Sequence, residues 1–72
     1  MNEKTLKLQK GQPFIPLNKL LQIMQIAQTG GHAKILIQNE EVMVNEMIET
    51  RVRKKLVTSD KIKVGDQLII IV

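Results

Sequence analysis

The hydrophobic period of this chain turns from helical to strand-like near Glu41, and that change limits the folds open to it. Apolar side chains recur at Leu17, Leu20, Leu21 and Met24, the i, i+3, i+4, i+7 stripe of an amphipathic helix, with Pro16 just ahead of it. From Glu41 the period is two. Val42 and Val44 share one face, Ile62 and Val64 precede the turn pair Gly65 and Asp66, and residues 67–72 form a β-branched final strand. A helical half followed by a strand half predicts an α+β domain, with two short helices packed on a small, mainly antiparallel sheet.

Local signals fill in the order of elements. Alternation around residues 5–8 predicts an N-terminal strand over about residues 3–9, broken by Gly11 and Pro13. The first helix is predicted to run to about Ala27, with Ile23 and Ile26 widening its stripe so that it is covered on more than one side. Thr29 is a favoured N-cap, and Gly30 and Gly31 open a second helix whose core face is Ala33, Leu36 and Ile37, ending near residues 38–39. Lys34 points away from that face. Asn45 and Glu46 form a plausible turn leading to a return strand around residues 48–50. With no linker and no repeat, residues 1–72 are read as one domain.

Composition removes several classes of function. There is no cysteine and a single histidine among 72 residues, so neither a disulfide framework nor a metal site is expected, and no cofactor. The longest apolar run, residues 68–72, is far short of the roughly 20 residues a bilayer span needs. The N-terminus lacks the pattern of a secretory signal, and a cytoplasmic location is expected. His32 invites a catalytic reading, but no second histidine or cysteine accompanies it, and no nucleophile motif surrounds Ser59. A non-enzymatic protein without a small-molecule substrate is expected.

Charge is more directive. The net charge is +4, and it is polarised: residues 36–49 hold four acids and no base, whereas residues 51–63 hold six bases and the single acid Asp60. Arg51 and Arg53, read as alternating positions of an extended segment, would project two guanidiniums to one side, where they grip adjacent phosphates, with Lys54 and Lys55 beside them. The competing reading is a charged edge strand that resists aggregation; Lys61 and Lys63 extend the cationic density beyond that need. The exposed N–H groups of a glycine-opened helix also suit a phosphate, although a Gly-Gly pair serves equally as a plain tight connection between helices. With neither Trp nor Tyr there is no stacking platform for single-stranded bases, so phosphates and shape of folded RNA remain as the mode of recognition. The final strand is either buried on both faces or offers Ile69 and Ile71 to a partner, which leaves a dimer open beside the expected monomer.

Taken in order, Leu17 with Leu20 and Leu21, Thr29-Gly30-Gly31 followed by Ala33-Lys34, Val42, Val44-Asn45, Glu49-Thr50-Arg51, Lys55-Leu56 and Val64-Gly65-Asp66 resemble the RNA-binding S-four domain, also called the alpha-L motif. The likeness is to its stand-alone YaaA-like and YbcJ-like members and covers about residues 15–72. It implies two helices on a small sheet with a basic face for structured RNA, commonly ribosomal or transfer RNA, and no catalysis; a ribosomal subunit is the expected assembly. It maps RNA contacts to Lys34 and to Arg51, Arg53, Lys54 and Lys55; the glycine-opened helix start adds Gly30, Gly31 and His32 as candidate contacts, with Lys19 on the first helix as a secondary one. The alternative is a protein-interaction adaptor working through the C-terminal strand or the acidic hairpin. The chain departs from the pattern where glycine is common, at Glu46 and at Glu40 or Glu41, which predicts a longer or shifted hairpin. His32 replaces a common acid, trading a capping box for a possible phosphate contact.

Overall fold

In a computed structural model describing residues 2–72, the chain runs β1 (Asn2–Leu6), β2 (Ile15–Pro16), α1 (Leu17–Ile23), α2 (Gly30–Gln38), β3 (Val42–Val44), β4 (Met47–Ile48), β5 (Lys55–Leu56), β6 (Lys61–Val64) and β7 (Gln67–Ile71). Five strands form one sheet in the order β1-β7-β6-β3-β4, while β2 and β5 form a separate two-stranded ladder. Every pairing is antiparallel except β1 with β7, which lies parallel, so the first and last strands are neighbours. The sheet is therefore mixed but mainly antiparallel.

One face of the sheet supplies Val42, Val44, Ile62, Ile69 and Ile71, and the helices cover it with Leu17, Leu20, Leu21, Ala33 and Ile37; all ten are buried in one cluster with Ile15, Ala27 and Leu56. Because strand side chains alternate, the opposite face carries Met43, Lys61, Lys63, Leu68 and Ile70. This decides between the two readings of the final strand and corrects one expectation. Ile69 and Ile71 are core residues at 0% exposure and offer nothing to a partner. Lys61 and Lys63 lie on the sheet face away from the helices and do not extend the basic run of residues 51–55.

Helix α1 stops four residues earlier than its periodicity predicts. Gln25 adopts a left-handed φ of 61°, and the Ile26 and Ala27 amides both donate to the Leu21 carbonyl, turning the chain so that Ala27 enters the core. Ile23 consequently faces solvent, 49% exposed, instead of widening a buried stripe. The second helix follows its signals closely: the Thr29 hydroxyl accepts the His32 amide at 3.0 Å, and Ala33 and Ile37 are buried with Leu36 half-buried.

The hairpin is also shorter than expected. Val44 pairs with Met47, leaving a two-residue turn in which Asn45 (φ 52°) and Glu46 (φ 71°) both take positive angles, the condition for a type I′ turn. Asn45 is held there from outside: its Oδ1 accepts the Lys61 amide at 2.9 Å and its Nδ2 donates to Asp60 at 3.0 Å. The return strand is Met47–Ile48, and the Glu49 amide still donates to the Val42 carbonyl at 3.0 Å before the chain turns away.

Candidate nucleic-acid interface

The basic run from Arg51 is not an extended strand. Residues 51–54 form a turn closed by the Lys54 amide donating to the Arg51 carbonyl at 3.2 Å, so Arg51 and Arg53 do not project side by side from a pleat. The cause lies in α1. Its N-cap, Pro16, has no side chain able to cap, and the first amides of a helix need partners. Leu17 donates to the Lys54 carbonyl at 2.8 Å and Asn18 to the Val52 carbonyl at 3.0 Å. The turn is thus the cap of α1, and this fixes its position against the helices.

Glu49 sets the start of that turn. Its carboxylate accepts the Arg51 amide at 2.9 Å, Nε at 2.9 Å and Nη2 at 3.0 Å, a bidentate pair plus a backbone bond. The Glu49 side chain is 11% exposed and that of Arg51 71%. The Arg51 hydrogen bonds hold the Glu49 carboxyl at about 2, against a tendency of burial to raise it, and Glu49 raises Arg51 in turn. Arg51 is therefore engaged at two of its donors before any ligand arrives.

Two shallow clefts meet at Arg53. The first, about 440 Å³, is lined by Asn18, Gly30, Gly31, Lys34, Val52 and Arg53. It joins the N-terminus of α2, with its free amides and positive dipole end, to the tip of the turn. The second, about 340 Å³, is lined by Arg51, Arg53, Lys54 and Lys55. No acidic residue lines either. Of the acidic hairpin, Glu46 lies with Lys61 and Lys63 on the far face of the sheet, so its charge is directed away from both clefts.

Of the remaining predicted residues, Lys19 and His32 line neither cleft, and Lys55 lines the second. Lys19 is exposed on α1 but lines neither cleft, and Lys55 rests over the Phe14 ring at 5.0 Å from its centroid. His32 does local work: its Nδ1 accepts the Gln28 amide at 3.3 Å while its own amide binds Thr29. The pair of bonds resembles a capping box reaching one residue further back, and His32 lines neither cleft. Sequence reasoning missed Asn18 and Val52, which have no charge to signal them. Among the described residues the Asn18 Oδ1 is the one buried side-chain polar atom without a partner.

The S4 domain model matches residues 6–72. The chain belongs to the S4 domain family. Among solved structures it is similar to YbcJ from E. coli, with 31% sequence identity and a TM-score of 0.71, covering 94% of this chain and 85% of YbcJ. The structure of YbcJ is described as revealing a motif involved in RNA binding. A search of curated proteins gives no match. In this S4 domain the glycine pair at the head of α2 has a spatial meaning: a Cβ added at Gly30 would meet only Gln22 Nε2 at 3.6 Å, and one at Gly31 only Thr29 Oγ1 at 3.9 Å. Packing inside the protein does not demand glycine at either position.

Proposed function

We propose that this S4 domain is a non-enzymatic RNA-binding protein that docks on structured RNA through phosphate contacts at the junction of the two clefts. The observation that carries the reading is the convergence of Gly30, Gly31, Lys34 and Arg53 on one acid-free cleft at a helix N-terminus. Glycines that the fold itself does not require leave the α2 amides bare for a phosphate oxygen, and Lys34 and Arg53 supply the full charges. Lys54 and Lys55 in the adjoining cleft extend the contact along the backbone. Arg51 contributes through its remaining donors, oriented by Glu49. Ribosomal or transfer RNA is the finer reading, and a ribosomal subunit the corresponding assembly.

Fluorescence anisotropy with a synthetic hairpin RNA tests this. If about four phosphates are neutralised, log affinity falls against log salt with a slope of roughly 3 to 4. Lys34→Ala and Arg53→Ala each lower the slope by about 1 without changing the far-ultraviolet circular dichroism spectrum. A flat salt response, or variants that bind like the parent, overturns the phosphate-clamp reading. Crosslinking in cells followed by sequencing of the attached RNA tests the finer one.

A further inference from the structure

A groove on the other side of α1 is not used by the site just described. It has a volume of about 630 Å³, with Leu6, Pro13, Ile15 and Ile23 along its floor and Lys7 and Lys10 among its lining residues. Ile23, 49% exposed, is a large apolar side chain left open within it. Lys7 and Lys10 are exposed, and neither takes part in an ion pair among the described residues.

Helix geometry connects this groove to the clefts. Residues four apart share a helix face. Asn18 and Gln22 form the stripe of α1 beside the N-terminus of α2, since Asn18 lines that cleft and Gln22 lies 3.6 Å from a Cβ placed on Gly30. Lys19 and Ile23 form the next stripe, both exposed, and Ile23 belongs to the groove. Lys19 therefore stands between the Lys34–Arg53 cleft and the groove, as a cationic step on the outer surface of α1.

We propose that the groove binds a single-stranded segment of RNA continuing from the structured element held at the α2 cleft, with its phosphates on Lys19, Lys7 and Lys10. The inference rests on the RNA-binding reading above. The chemistry selects the occupant. A duplex presents phosphates and groove edges, to which an aliphatic floor adds nothing, whereas a single strand can follow the groove with its riboses against that floor and its phosphates on the lysines, held without the base stacking that the absence of aromatic rings rules out. Without an aromatic ring in the groove the contact is independent of base identity.

Two probes test it: a synthetic hairpin RNA with a single-stranded extension, and the same hairpin without one. The extension strengthens binding to the parent protein, and Lys7→Ala with Lys10→Ala removes most of that gain, leaving only the Lys19 contact, while leaving the bare hairpin's affinity unchanged. The salt slope for the extended probe falls by about 1.4, from two lost single-strand contacts. Lys61→Ala with Lys63→Ala removes the same charge from the far sheet face and leaves the gain intact. If the extension adds nothing to the parent, or if the two double variants lose it equally, the groove is not a strand site. Lys34→Ala and Arg53→Ala report separately on the hairpin itself, so failure of the primary reading shows as unweakened hairpin binding and failure of this one as an absent extension effect.

Discussion

Glu49→Gln isolates the one buried charged residue among the described residues, because glutamine keeps the shape and an acceptor for the Arg51 amide while removing the charge. Lowering the carboxyl from 4.5 to about 2 corresponds to at most about 3.4 kcal/mol, at about 1.36 kcal/mol per pH unit. Arg51 is 71% exposed, so solvent screening reduces the expected contribution to about 1–2 kcal/mol. The folded carboxyl is depressed relative to the unfolded one. The stabilisation is therefore complete above pH 4.5, where both states are ionised, and is lost as pH falls from 4.5 through about 2, where the unfolded chain takes up its proton first. The chain has neither Trp nor Tyr, so urea unfolding is followed by far-ultraviolet circular dichroism. The parent exceeds the variant by about 1–2 kcal/mol at pH 7, and the gap closes towards pH 2. A gap that stays constant from pH 7 to pH 2 refutes the electrostatic account, and no gap at pH 7 removes Glu49 as the anchor of the turn.

Gly31→Ala leaves stability unchanged or raises it by up to about 1 kcal/mol, since alanine favours helix, yet weakens hairpin RNA binding roughly tenfold by obstructing one charge-assisted hydrogen bond. Parallel urea and anisotropy titrations check it, and a variant that binds like the parent shows that no ligand approaches that backbone. Asn45→Ala removes the bonds to Lys61 and Asp60 and lowers stability by about 1–2 kcal/mol, read from the urea midpoint. Glu46→Gly relieves a left-handed residue at φ 71° and raises stability by about 1 kcal/mol; a lower midpoint would show that Glu46 is held by contacts that outweigh its backbone cost.

Much of the fold was readable from local pattern. The stripe from Leu17 to Met24 and the Thr29 cap depend on residues within a few positions of each other, and both helices begin where those signals put them. Where α1 ends was not readable, because Gln25 carries no sign of a left-handed turn; burial of Ala27 determines it. The hairpin shows the same division. Asn-Glu is a poor pair for two positive φ angles, yet Asn45 is secured by Asp60 and Lys61, which approach only when β6 pairs with β3.

The candidate site divides along the same line. Sequence by itself determined that this is a basic, cysteine-free chain with a helical half and a strand half, and it singled out the glycine pair, Lys34 and the run from Arg51. Those properties are local sums of charge, propensity and period. Tertiary structure decided which charges act together. Capping α1 bent residues 51–54 into a turn, Glu49 took up Arg51, Arg53 was brought to Lys34 and Asn18, and strand alternation sent Lys61 and Lys63 to the opposite face. Each of these depends on a hydrogen bond or ladder between residues distant along the chain, or on the face a side chain occupies once the sheet forms, and composition records neither.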